Sequence, residues 1–273
     1  MTDTTKLAVV TGAASGIGRA LARRLDADGW RLALTDVNAP GLEETRGMLR
    51  GEASLHTFDV ADREAVHEFA DELHERHQHV DLVVNNAGVD LAQSLADVSY
   101  EDFEWIFGIN FWGVVHGTRA FLPRMLERHS GTIVNVSSVF GIVGWPMHGT
   151  YCAAKFAVRG FTETLRHELV GTGVRAVTVH PGGIKTNIVR NSRYHRDHGG
   201  AGKDKAVEIF DKIARTSAEE AADVIVDGVR KGKQRILIGA DARVIDSVQR
   251  LAPEDYFGVM SRFAPRRRSK PKG

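Results

Sequence analysis

The chain has 273 residues, a formal net charge of +1 and one cysteine. That length suits one large α/β domain or two small ones, the near-neutral charge gives no general ground for nucleic acid or an anionic membrane as partner, and a lone Cys152 excludes an intrachain disulfide. The opening "MTDTTKLAVVTG" lacks the pattern of a secretory signal and no apolar run reaches membrane-spanning length, so a cytoplasmic protein without an integral membrane segment is expected.

Along the chain, short β-branched runs alternate with segments of helical period. "KLAVV" precedes a helical "GIGRALARRLDADG", and "WRLALTD" and "SLHTFDV" are the next strands. "REAVHEFADELHERH" is helical, "VDLVVNNAG" a strand, and the stretch from Tyr100 to His129 reads as one long helix. "GTIVNVSS", the helix "YCAAKFAVRGFTETLRHELVG" and the strand "VRAVTVHPGG" follow. "SAEEAADVIVDGVRKG" opens with a capping box from Ser217 to Glu220 and leads into a seventh strand, "QRILIG". Continuous apolar strands separated by helices predict a doubly wound parallel seven-stranded sheet covered on both faces. One domain over 1–261 is expected, with a substrate lid at about 187–215 containing His195 and His198. A basic, disordered tail is expected over 262–273.

The first turn, "TGAASGIG", places Gly12, Gly16 and Gly18 between a strand and its helix, where missing side chains let backbone N–H groups approach a pyrophosphate. Such glycines can equally serve the turn alone. Asp36, ending the second strand, adds a carboxylate at the distance suited to adenosine ribose hydroxyls. Ala13, Ala14, Ser15 and Val37 supply no cation for a 2′-phosphate, which favours NAD over NADP. Tyr151 and Lys155 stand four apart in a helix and share a face, so an ammonium, together with the positive nicotinamide ring of an oxidised cofactor, can favour a phenolate. Tyr/Lys pairs also occur on helices without function. The cluster His74, His77 and His79 lacks metal-ligand spacing and reads as a solvated helix end, so no metal is expected.

Together "TGAASGIG", "NNAG", "GINFWG", "IVNVSS", "YCAAK" and "PGGIKT" are similar, in order and spacing, to the short-chain dehydrogenase/reductase family, in its compact single-domain form. The resemblance implies a Rossmann-type fold over about Lys6 to Gly239. It also implies Tyr151 as acid/base, Lys155 holding the nicotinamide ribose and lowering the phenol pKa, Ser138 bonding the substrate oxygen, and Asn110 opening its helix around a proton-relay water. It assigns Ser15, Ile17 and Gly18 to the pyrophosphate turn and Asp59 and Val60 to the adenine edge. Asn86, Ala87 and Gly88 would line the adenosine pocket, with Asn85 bracing the sheet, while Pro181, Gly182, Ile184 and Thr186 frame the nicotinamide. The implied activity is NAD-dependent interconversion of a secondary alcohol and a carbonyl compound, in a homodimer or homotetramer formed through the helices carrying Asn110 and Tyr151.

Between Ser138 and Tyr151, the residues Val139, Val143, Trp145 and Met147 are mostly apolar, which predicts a hydrophobic substrate of steroid, retinoid or medium-chain type. Asp90, Gln93 and His148 add polar groups to the same walls, and the amphipathic segment from Ala242 to Phe263 is a candidate cover. A non-catalytic NAD sensor or scaffold, an NADP-dependent carbonyl reductase and an epimerase or dehydratase using NAD internally are the alternatives left by the sequence.

Overall fold

A computed structural model of the chain describes residues 5–77, 79–194 and 202–262. In chain order the elements are β1 (Leu7–Thr11), α1 (Gly16–Ala27), β2 (Arg31–Asp36), α2 (Ala39–Arg46), β3 (Ala53–Thr57), α3 (Arg63–Arg76), β4 (Leu82–Asn85), β5 (Leu91–Ala92) and α4 (Tyr100–Phe107). A π-helical turn (Gly108–Trp112) joins α4 to α5 (Gly113–Glu127), and β6 (Gly131–Val136), α6 (Gly149–Glu168), β7 (Val174–Pro181) and β8 (Arg193–Tyr194) follow. The last elements are α7 (Lys203–Ile213), α8 (Ala218–Arg230), β9 (Arg235–Ile238), α9 (Ala240–Leu251) and α10 (Tyr256–Ser261).

Seven of the strands form one parallel sheet in the order β3-β2-β1-β4-β6-β7-β9. Alternation along each strand sends Ala8, Val10, Leu32, Leu34 and Val134 to one face, where they pack with Leu21 and Leu25 of α1 and Ile225 and Val226 of α8. Leu7, Val9, Val83 and Ile133 face the other way, against Phe69 and Leu73 of α3, Phe121 and Met125 of α5 and Leu165 of α6. Both faces are therefore dry, which is why the strands read as continuous apolar runs. Each fully enclosed leucine contributes roughly 2 kcal/mol by leaving water. The chain turns from one side of the sheet to the other between β1 and β4, and this reversal leaves a crevice beyond their carboxyl ends.

Three features differ from the sequence-based reading. The long helix beginning at Tyr100 is interrupted by the π turn, which inserts an extra residue per turn and bulges the backbone around Asn110. β5 and β8, two residues each, make a small second parallel sheet. The segment at 187–215 contains β8 and the helix α7, none of whose residues is buried, while 195–201, with His195 and His198, lies outside the described residues. So does 263–273, nearly all of the basic tail. The expected capping box is present: Ser217 accepts from the Glu220 N–H, and the Glu220 carboxylate accepts from the Ser217 N–H.

Candidate active site

At the end of β1 the glycine turn folds tightly enough to leave no room for side chains. A Cβ on Gly18 would stand 2.1 Å from the Gly12 carbonyl oxygen, and Gly12 and Gly16 have φ of +68° and +53°. Ser15 caps α1 in extended conformation but makes no side-chain cap bond, so the first N–H groups of the helix, at Ile17 and Gly18, are not covered by it. A backbone cradle with an uncapped helix N-terminus fits a pyrophosphate. Thr186 closes the opposite side, its Cγ2 3.2 Å from where a Cβ on Gly16 would be.

The turn is held from two directions. Asp36 accepts from the N–H groups of Ala14 and Asn38, both at 3.0 Å, and its carboxylate has lone pairs beyond those two bonds for ribose hydroxyls. Thr11, which the motif reading left out, accepts at its Oγ1 from Asn86 N–H at 3.0 Å and Ala87 N–H at 2.9 Å. The Asn86 amide donates in return to the Thr11 carbonyl at 2.9 Å. Arg19 supplies a cation beside the turn, yet its guanidinium is engaged by Glu44, Thr45 and the carbonyls of Ala14 and Gly41. Beyond β3, Asp59 accepts from Ala61 N–H at 2.9 Å, and Val60 is buried against Gly113. After β7, Gly182 donates to Ile238 at 3.0 Å and Gly183 to the Asp241 carboxylate at 2.7 Å, which fixes the loop from Pro181 past the buried Ile184.

The second group of residues meets at the carboxyl ends of β4 and β6. Lys155 and Tyr151 are both buried on the inner face of α6, with the Lys155 Nζ 5.7 Å from the centre of the tyrosine ring. Lys155 donates to the Val136 carbonyl at 3.0 Å, and Ser138 hydrogen-bonds Tyr151 while accepting from Phe140 N–H at 3.1 Å. Asn110, fully buried at the π turn, accepts from Val89 N–H and donates to the Val89 carbonyl, both at 2.8 Å. Gly88 separates the two polar groups: a Cβ there would lie 3.0 Å from Asn110 Oδ1 and 3.4 Å from Lys155 Nζ. Below them Asn85 donates to Asn135 at 2.8 Å and Asn135 to Thr162 at 3.0 Å, tying β4, β6 and α6 together.

Burial sets the charge states. It pushes the Lys155 ammonium down to about 8. It also pushes the Tyr151 phenol above its ordinary value, helped by the negative charge of Asp90 and opposed by the Ser138 hydrogen bond. The expected lowering of the phenol pKa is therefore not produced by the protein alone. Desolvation of a phenolate dominates, and further positive charge is needed to reverse the balance.

The walls around Tyr151 are aromatic. Phe140 stands edge-on to Tyr151 with ring centres 6.1 Å apart and stacks on Trp145 at 6.4 Å. Trp145 and Met147 are half-exposed, Met147 with φ of +71°, whereas Val139 and Val143 are buried and shape this wall from behind. α10 buttresses it: the Tyr256 hydroxyl accepts from Gly144 N–H at 3.0 Å and the Phe257 ring meets Trp145 at 5.5 Å. Opposite, β5 and β8 knit the loop after Gly88 to the segment after β7. Arg193 anchors that seam by bonding Asp102 at 2.9 Å and lying 3.8 Å over the Trp105 ring. None of Phe140, Arg193 or Tyr256 belongs to a motif, and their proximity arises only from the fold.

Comparison with known proteins agrees with this geometry. A family model described as short chain dehydrogenase matches residues 6–197. The Mycobacterium tuberculosis protein SadH is 42% identical over 257 residues, covering 92% of this chain and 92% of its own. A short chain dehydrogenase/reductase of Burkholderia phymatum, solved in complex with NAD, is 31% identical and aligns with a TM-score of 0.84 over 98% of both chains. A metagenomic short-chain oxidoreductase solved with NADP is 26% identical with a TM-score of 0.70, over 85% of this chain and 96% of its own.

Proposed function

The chain belongs to the short-chain dehydrogenase/reductase family, and on that premise we propose that it is an NAD(H)-dependent oxidoreductase that interconverts a hydrophobic secondary alcohol and its carbonyl counterpart, with Tyr151 as acid/base. The observation that carries the reading is the convergence of Tyr151, Ser138, Lys155 and Asn110 at the sheet end that also holds the glycine turn.

The dinucleotide, when bound, supplies a hydride acceptor or donor. The remaining chemistry belongs to side chains. Ser138 holds the substrate oxygen by hydrogen bond as its charge changes, and the Tyr151 hydroxyl oxygen takes the substrate proton during oxidation or returns it during reduction. Lys155 spends one hydrogen on Val136 and keeps two for ribose hydroxyls. Asn110, anchored on Val89, borders the same polar space and positions a water that links Lys155 to solvent. Burial favours the protonated phenol, and an oxidised nicotinamide, when held by the glycine turn and Lys155, would add positive charge that favours phenolate.

Asp36 supports NAD over NADP, since its negative charge repels a 2′-phosphate and Arg19 is already engaged. The aromatic wall supports a bulky apolar substrate. Exposed Trp112 and Phe156, on the helices bearing Asn110 and Tyr151, support a homodimer or homotetramer. Cys152 is free and buried, and no described helix is long and apolar enough to cross a membrane; a cytoplasmic enzyme is proposed. The test is NADH absorbance with NAD and a panel of apolar secondary alcohols, with Tyr151→Phe protein as blank and NADP as competitor. NADH formed by the native protein and absent in the variant supports the reading; equal turnover by the two overturns it.

A further inference from the structure

We propose that Asp90, with His148, forms a specificity subsite beside Tyr151 that receives a second hydrogen-bond donor of the substrate, a hydroxyl or an ammonium. This deepens the reading of the site as an alcohol-oxidising centre and rests on it.

Asp90 is 6% exposed, and no lysine or arginine pairs with it among the described residues. Its one side-chain partner there is His148, whose Nδ1 lies 3.3 Å from Asp90 Oδ1. Asp90 Oδ2 has no hydrogen bond among those residues, and it is not sealed from solvent. That oxygen is the carboxylate's open acceptor, with lone pairs left for a further donor. The surrounding backbone holds it in place. Asn110 pins Val89 on one side, and Leu91 is paired with Arg193 on the other. The Asp90 carbonyl accepts from Arg193 N–H at 3.1 Å. Val89 and Leu91 both pack in the apolar cluster that contains Tyr151. His148 is equally fixed, as the residue capping α6, by a bridge to Gln93 and by the Phe140 ring 5.3 Å away, which also touches Tyr151.

The placement disfavours the reaction in the free protein, because the Asp90 charge raises the Tyr151 pKa. A substrate donor relieves this, since it bonds the open Asp90 Oδ2 and offsets negative charge in the phenol's surroundings. The carboxylate decides the sign of the recognised group. Asp90 Oδ2 can only accept, so the subsite selects a substrate donor, with His148 holding Oδ1 in place. A substrate carboxylate meets repulsion there.

The experiment uses the NAD-loaded full chain with cyclohexanol, its 1,2-, 1,3- and 1,4-diols, the matching aminocyclohexanols and the hydroxycyclohexanecarboxylates. At least one diol or amino alcohol is expected to exceed cyclohexanol in kcat/KM by roughly tenfold to a hundredfold, chiefly through KM, with the hydroxy acids below it. Asp90→Asn brings that ratio to about one, and His148→Gln, the second variant should the first not fold, lowers it. Diols separate from amino alcohols by which isomer leads. The proposal is overturned if no donor-bearing isomer exceeds cyclohexanol, or if both variants keep the native preference. Binding of the same compounds to NADH-saturated protein, followed by cofactor fluorescence, is the second readout. Donor-selective binding that depends on Asp90 without any turnover sinks the dehydrogenase reading and leaves the subsite standing; binding that ignores the donor sinks the subsite.

Discussion

The Lys155 ammonium stands 5.7 Å from the centre of the Tyr151 ring, one helical turn along α6, and both side chains are buried. On the proposed reading the phenol is the proton carrier and the ammonium its electrostatic neighbour. Tyr151→Phe is expected to lower kcat/KM by about a hundredfold to ten-thousandfold, and Ser138→Ala by roughly a hundredfold, while NADH binding followed by cofactor fluorescence persists in both. Loss of NADH binding in Tyr151→Phe would assign the tyrosine to cofactor retention instead of chemistry.

Cofactor choice is expected to turn on the end of β2. Replacing Asp36 by Ser and the 64% exposed Val37 by Arg removes a repulsive charge and adds an attractive one. The ratio of kcat/KM for NAD to that for NADP should fall by roughly tenfold to a hundredfold or more. Asp36 also braces Ala14, so thermal unfolding of the variant should drop slightly in parallel.

A buried imidazole supports the serine from behind. His180 on β7 is fully enclosed and donates from Nδ1 to the Ser138 carbonyl across 3.0 Å, leaving Nε2 without a described partner. Burial, aided by Arg235 and Arg159 and opposed by Glu163 and that hydrogen bond, pushes it down to about 4 from an ordinary 6.5. Between those two values the unfolded chain binds a proton that the native one refuses, so stability rises with pH across the window and declines on acidification by up to about 3 kcal/mol. Urea midpoints taken at pH 7 and 4.5 should show this slope, and His180→Asn, which keeps a donor, should flatten it.

Asp246 on α9 receives a two-pronged bond from Arg235 of β9, at 2.9 and 2.6 Å, and a third from Arg250 at 3.2 Å. Arg235 holds its carboxyl down to about 2 against the opposing effect of burial. A depressed carboxylate stabilises the fold above pH 4 and loses that contribution as pH falls toward 2. Asp246→Asn is expected to cost about 2 kcal/mol at pH 7 in denaturant titration, with the native and variant curves converging in acid.

Much of this architecture could be read from the chain because the physics was local. Strands such as "LAVVT" and "TIVNV" are dry on both faces and stand out as apolar runs, and the turn after β1 is written in three closely spaced glycines. The π turn was hidden because "FGINFWG" keeps a helical pattern, and only the bonds of Asn110 to Val89 reveal why the backbone widens there. Asp90 and His148 are 58 positions apart and Arg193 and Asp102 are 91 apart, so their pairing depends on how loops converge over a finished sheet. The upward push on the Tyr151 phenol in the protein alone was illegible for a related reason. Sequence displays the ammonium four residues away but not how completely the pair is enclosed.

The buttress from α10 sets an order of events during synthesis. Every group assigned to chemistry precedes β7, whereas Tyr256 and Phe257, which hold Gly144 and Trp145 in place, come off the ribosome roughly a hundred residues later than Tyr151. A nascent chain that has completed its sheet can gather the reactive side chains before its selective wall is set. On the proposed reading, discrimination among substrates is acquired last, and alterations near that end of the coding sequence are expected to retune selectivity while leaving the reactive centre untouched.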